Sequence, residues 1–106
     1  MKFEVRVTAA ADRDVEQAFD WYLEQSSTAA LRWQQKLAEA LESLESHPER
    51  CPLAPDHAFL RRTVRQLVFG SRRGAYRLLF EVRERKVFVL RLRHGARRLL
   101  NLSDDD

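Results

Sequence analysis

Sixteen of the nineteen basic residues in this 106-residue chain are arginine, the side chain that grips phosphate or carboxylate with two parallel hydrogen bonds and keeps its charge when partly buried. They are unevenly placed. Residues 1–49 carry 5 basic and 10 acidic side chains, net −5, whereas residues 50–106 carry 14 basic and 6 acidic, net +8. Three of those six acids are the terminal run Asp104, Asp105 and Asp106, and without that run the second half stands at +11. Such a surface expects a polyanion or an acidic protein partner. Of the three histidines, His47 and His57 lie in or beside a proline-rich stretch and are expected to be solvated. His94 ends an apolar run and could accept or donate a proton near neutral pH. Cys51 is the only cysteine, so no intramolecular disulfide is expected, which suits a reducing cytosol. With no CxxC and no cysteine-histidine cluster, neither a metal nor another cofactor is expected.

The elements that must position these residues follow from the periodicity. Residues 2 to 7 alternate in polarity and predict a short strand burying Phe3, Val5 and Val7. Thr8 then caps a helix over about 9 to 25, with Ala11, Val15, Ala18, Phe19 and Tyr22 at helical spacing and Asp12, Asp14, Glu16 and Asp20 toward its N-terminal end. The polar break Gln25, Ser26, Ser27 and Thr28 supplies a second cap. Ala30, Trp33, Leu37, Leu41 and Leu44 form the apolar stripe of a second helix ending at Ser46, so the two helices make an antiparallel hairpin. Residues 47 to 60, with Pro48, Pro52 and Pro55, read as irregular loop. Three runs rich in β-branched and aromatic residues follow: Thr63 to Phe69, Ala75 to Arg83 and Lys86 to His94. Their short connections predict an antiparallel meander that the first strand completes. The fold class is α+β in the order β-α-α-β-β-β, a helical hairpin on a small twisted antiparallel sheet.

Length and composition, 44% apolar and 33% charged, bound the chain to a single domain over 1–103 with an acidic tail at 104–106. No apolar run approaches the ~20 residues that span a bilayer, and the alternating N-terminus lacks a signal-peptide core, so a cytoplasmic location is expected.

Strand parity sorts the arginines. If Tyr76, Leu78, Phe80 and Val82 face the helices, then Arg77, Leu79 and Glu81 share the other face. If Phe88, Leu90 and Leu92 face the core, Arg91 and Arg93 join Arg77 on that open face, with Arg65 or Gln66 beside them. Arg77 is flanked by apolar residues and needs an anion, either a ligand or Glu81 on its own face. Trp33 reads as core between the helices, and Trp21 falls one position off the apolar stripe.

With these pieces in order, the chain resembles the RelE/ParE superfamily of bacterial type II toxins. The resemblance rests on the opening FEVRVTAAADRDVEQAFDWYLEQ, the LxxLxxHPER stretch from Leu41 to Arg50, VRQLVFG ending at Gly70, YRLLFEV from Tyr76, and VLRLRHGAR from Val89 to Arg97. It covers nearly the whole chain and implies a plasmid-stabilisation type of toxin neutralised by an antitoxin partner. It also implies two targets: messenger RNA, cleaved without metal on the ribosome, or DNA gyrase, poisoned by binding.

Cleavage by the RNA's own 2′-hydroxyl needs a base, cationic stabilisation of the phosphorane and an acid for the leaving oxygen. By the resemblance, Arg77 stands against the scissile phosphate, Arg65 beside it, and His94 handles the proton. Arg61 and Arg62 take the place of loop lysines. Arg72 and Arg73 at a hairpin tip, Arg91 and Arg93 on the sheet, and Arg97 and Arg98 at the end would bind RNA. The chain departs from the cleaving branch in having no tyrosine after the last strand and no lysine between Lys36 and Lys86. Ribosome-dependent mRNA cleavage is the first reading. The alternative is a non-enzymatic gyrase poison acting through the helical hairpin and C-terminal segment. Under either, an acidic amphipathic antitoxin segment is expected on the basic sheet face or the hairpin.

Overall fold

The computed structural model describes residues 2–55, 62–70 and 74–95. Its order is β1 (Glu4–Val7), α1 (Ala9–Gln25), α2 (Ser27–Ser43), a 3₁₀ turn (Pro48–Arg50), β2 (Arg65–Phe69), β3 (Tyr76–Arg83) and β4 (Lys86–His94). The four strands form one sheet in the order β1-β4-β3-β2. The meander β2-β3-β4 is antiparallel as expected, while β1 lies parallel to β4, making the sheet mixed. The cause is the hairpin. Its two arms cancel each other's direction, and the chain re-emerges beside its own start, where Phe3 N–H donates to the Glu45 carbonyl at 2.9 Å.

Local chemistry sets the helix limits. Thr8 Oγ1 accepts from Ala11 N–H at 3.2 Å and starts α1. Ser26 alone separates the helices: its N–H closes α1 onto the Tyr22 carbonyl at 3.0 Å and its hydroxyl caps α2 by accepting from Ala29 N–H at 2.9 Å. A one-residue hinge leaves the helices no arrangement but antiparallel contact. α2 ends at Ser43, not Ser46: the N–H groups of Leu44, Glu45 and Ser46 bond to carbonyls three residues back, and His47 then turns left-handed at φ 47°. Arg50 then folds back: its Nη1 donates to the carbonyls of Ser43, Ser46 and His47 and its Nη2 to the Ser43 hydroxyl. The HPER segment is a helix stop.

Between hairpin and sheet lies the main core. Ala11, Trp33, Leu37, Ala40 and Leu44 pack against Leu78, Phe80, Val87, Val89 and Leu92. A fully buried Leu or Phe of this kind contributes about 1.5–3 kcal/mol. Strand parity gave Phe88 and Leu90 to this core, and the structure gives it Val87 and Val89 instead. Register jumps between Leu79/Phe80 on β3 and Arg91/Val89 on β4, so Leu90 is an extra residue and the alternation reverses there. Phe88 consequently stands on the other face, under the Arg83 guanidinium at 4.3 Å. That other face is itself partly covered: Ala54 and Val64 from the irregular segment bury Leu79, with Leu90 beside them.

No helix among the described residues is long and apolar enough to cross a membrane.

Candidate functional site

The basic face is narrower than parity alone predicts, and its centre is one row of residues. Val68, Arg77 and Arg93 lie directly opposite one another on β2, β3 and β4. Gln66, Leu79 and Arg91 form the next row on the register. Arg77 is only 7% exposed. Its Nη1 donates to Gln66 Oε1 at 2.9 Å, so Gln66, not Glu81, is the neighbour that orients it. Arg77 and Arg93 thus stand as two cations directly across a strand pair, and each makes at least one further contact within the chain.

The other arginines are occupied differently. Arg65 pairs in register with Phe80 and shares the helix-side parity of Leu67 and Phe69. Its Nη1 donates to the carbonyls of Cys51 at 2.7 Å and Glu49 at 3.3 Å, so the guanidinium ties the irregular segment to β2. Arg62 forms a fork with Glu81 at 2.7 and 2.9 Å, and this carboxylate hydrogen bond raises the Arg62 pKa further.

Arg91 was expected on the open face as a phosphate ligand, and it is instead 3% exposed and bound to α1. Its Nε and Nη2 donate to the two carboxylate oxygens of Asp14 at 2.7 and 2.9 Å. Arg91 directly follows the extra residue Leu90 of the bulge. Asp14 also accepts the Leu92 N–H at 3.0 Å, closing the edge of β4 beyond the end of β1. Sequence reasoning read Asp14 as a helix-dipole charge, and nothing local marks it as a partner of residue 91.

His94 pairs with Tyr76 in register and meets its ring edge-on at 5.2 Å. Tyr76 belongs to an aromatic cluster on the helix side, 5.4 Å from Trp33 and 6.0 Å from Phe69 between ring centroids. Burial first, then a hydrogen bond with Tyr22, pushes the Tyr76 pKa up to about 12. Because successive strand residues point to opposite faces, His94 and Arg77 are divided by the sheet. Arg65 shares the face of His94 but lies four rows away, about 13 Å along the strand. The three residues expected to handle phosphate and proton are therefore not brought together. Arg61, Arg72, Arg73, Arg97 and Arg98, like His57 and the run Asp104 to Asp106, lie outside the described residues.

What the described part of this face offers is a row of two arginines with no histidine beside it. Comparison with known proteins agrees with the architecture. The family model for the ParE toxin of the parDE type II toxin-antitoxin system matches residues 5–99. The chain belongs to that family. A solved structure described as the chromosomal ParDE toxin-antitoxin system from P. aeruginosa has the same fold, with a TM-score of 0.67 at 20% identity over 87% of this chain and 95% of that one. No curated relative matches the sequence. A toxin of a type II system has a cognate antitoxin, and this chain is the toxin half of such a pair.

Proposed function

We propose that this toxin arrests growth by binding DNA gyrase and does not cleave RNA. The observation that carries the reading is the separation of Arg65, Arg77 and His94: one guanidinium is engaged with backbone carbonyls, one lies on the open face, and the imidazole stands on the helix side. General acid-base cleavage needs its groups within hydrogen-bond reach of one phosphate, about 3 Å. The family match supports the same choice, since the ParE branch is the one resembled for gyrase poisoning. The Arg77–Arg93 row is then the seat of the antitoxin's acidic segment. Ribosome-dependent cleavage keeps one observation in its favour, which is that the same row would also take an RNA phosphate.

Inducing the toxin without antitoxin and mapping messenger RNA ends and gyrase-linked DNA breaks in the same cells separates the two. The expected result is DNA breaks with an SOS response and intact messages, retained by Arg77→Ala and His94→Ala. In-frame message cuts that vanish with either substitution would replace this reading with the RNA-cleaving one.

A further inference from the structure

The two edges of the sheet are finished differently. β2 is covered along its first half: the Ala54 N–H donates to the Val64 carbonyl at 2.8 Å, the Gln66 N–H donates to the Pro52 carbonyl at 3.0 Å, and Leu53 bridges to Arg65. β1, at the other edge, is paired on one side only, with β4. The N–H groups of Glu4 and Thr8 donate to the carbonyls of Arg85 and Val89 at 2.9 and 3.1 Å. Even-numbered residues therefore turn their backbone toward β4, and Val5 and Val7 turn theirs outward. Phe3 points outward too, but the Glu45 carbonyl on its N–H closes the edge at that end. Among the described residues the outward N–H groups of Val5 and Val7 have no backbone partner. An open edge is a template for another strand, and proteins ordinarily guard it with charge. Here the charges are Glu4 and Arg6, joined at 2.7 Å and each more than half exposed.

We propose that β1 is a self-association edge, on which a second copy of this chain lays its own β1 antiparallel, centred on Val5. Charge selects both the occupant and the register. Outward backbone groups can pair only odd residue with odd residue, so an antiparallel pair of β1 strands can centre on Glu4, Val5 or Arg6. Centring on Glu4 sets glutamate against glutamate, and centring on Arg6 sets arginine against arginine, both repulsive. Centring on Val5 sets Glu4 against Arg6 of the second copy and Arg6 against its Glu4, and opposite charges across a strand pair attract. The two Val5 residues then exchange N–H···O bonds, and each existing Glu4–Arg6 pair joins its counterpart in one ring of charges. The contact uses the same patch on both copies, so it closes at a dimer with one continuous sheet. Because Glu45 sits on Phe3, the pairing is confined to Glu4 through Arg6, and a contact this small makes a weak dimer that forms only at high concentration. The Arg77–Arg93 row, on β3 and on β4 beyond the end of β1, takes no part. The inference does not depend on whether gyrase or the ribosome is the toxin's target.

Sedimentation of the full-length toxin at concentrations up to about 1 mM is expected to show the mass rising from one chain toward two. Glu4→Lys and Arg6→Glu each set like charges across the interface and are expected to weaken the dimer about tenfold. Mixing the two variants restores opposite charges at both pairs, and Glu4→Lys/Arg6→Glu restores them within one chain, so both are expected to associate as the wild type does. Register is read by oxidation. Glu4→Cys/Arg6→Cys is expected to cross-link two copies, because facing residues of that pair lie about 4.5 Å apart between Cα atoms, within disulfide reach. A one-chain mass at every concentration would overturn the proposal, and so would failure of both the mixture and the double charge variant to recover association. Equally efficient cross-linking by Glu4→Cys alone would place the centre on Glu4 and overturn it likewise. Amide shifts at Val5 and Val7 that arise only when the cognate antitoxin is added would make an antitoxin strand the occupant, with the same consequence. Circular dichroism of each variant confirms that folding is retained before masses are compared.

Discussion

Arg91 and Asp14 are joined across 77 residues of sequence by two parallel hydrogen bonds, with side-chain exposures of 4% and 12%. The pair fastens α1 to β4 where β1 has already ended, and the Leu92 N–H on the same carboxylate makes Asp14 stand in for the missing strand. Removing one partner leaves a charge buried without its counter-ion, which costs about 3–5 kcal/mol. Asp14→Ala is expected to lose that much in urea unfolding. The double change Asp14→Leu/Arg91→Met is expected to recover most of it, because an apolar pair of similar size avoids desolvating either ion. Equal loss in the single and double variants would show that the Leu92 N–H bond, and not the ion pair, carries the stabilisation.

Arg50 gathers the last carbonyls of α2 and the turn after it. Its side chain is exposed, so only the hydrogen bonds and their favourable place at the negative end of the helix dipole are lost on truncation. Arg50→Ala is expected to lower stability by about 1 kcal/mol, a fall in Tm of roughly 4–8 °C for a domain of this size. Toxicity is expected to persist at temperatures where the variant is folded, measured as growth arrest on induction. Loss of toxicity with an unchanged Tm would move HPER from the fold to the function.

Why some of this was legible in the sequence and some was not comes down to range. Thr8 and Ser26 announce helix starts because a cap acts within three residues, and both caps hold. Trp33 is in the core and Trp21 is 55% exposed, as the helical stripe indicated. Alternation placed Arg77 correctly and could choose no further than Arg65 or Gln66 beside it; the register chooses Gln66. It failed at Phe88 and Leu90 and held at Leu92, because a bulge is a tertiary event: Leu90 is extruded where β4 loses β1 as a neighbour and meets Thr8, whose N–H reaches the Val89 carbonyl and whose hydroxyl reaches that of Leu90. The cover over Leu79 was equally silent, since Ala54 and Val64 belong to a stretch without period.

Tyr76 links stability to alkaline pH. Its pKa is raised to about 12 by burial and by the hydrogen bond with Tyr22. The folded state thus holds the phenol proton more tightly than the unfolded state does, near 10. A group raised in this way contributes stability that is complete below the unfolded value and is lost as pH climbs through the folded one. Stability is therefore expected to fall between about pH 10 and 12, and Tyr76→Phe is expected to remove that part of the fall. Tyr22→Phe leaves Tyr76 as the only tyrosine of the two in the chain, so its ultraviolet titration reads a single phenol. The midpoint is expected to drop in that variant yet stay above the ordinary value, because burial, the larger cause, remains.

Arg77 and Arg93 face each other across β3 and β4, and the antitoxin reading makes a testable demand on both. An acidic segment docking on this face meets the positive field of both, with Arg93 the more exposed of the two. Arg93→Glu reverses one side of the seat and is expected to weaken binding of the cognate antitoxin by at least about tenfold, mostly as faster dissociation in surface plasmon resonance. Arg93→Lys keeps the charge but loses the planar fork, so an intermediate loss is expected. Raising salt is expected to weaken the wild-type complex more than the Arg93→Glu one, since the variant has already given up the interaction that ions screen. Because Gln66 orients Arg77, Gln66→Leu is expected to lower antitoxin affinity without altering net charge. An unchanged affinity in Gln66→Leu together with a full loss in Arg93→Glu would mean that long-range attraction, rather than a placed guanidinium, recognises the antitoxin.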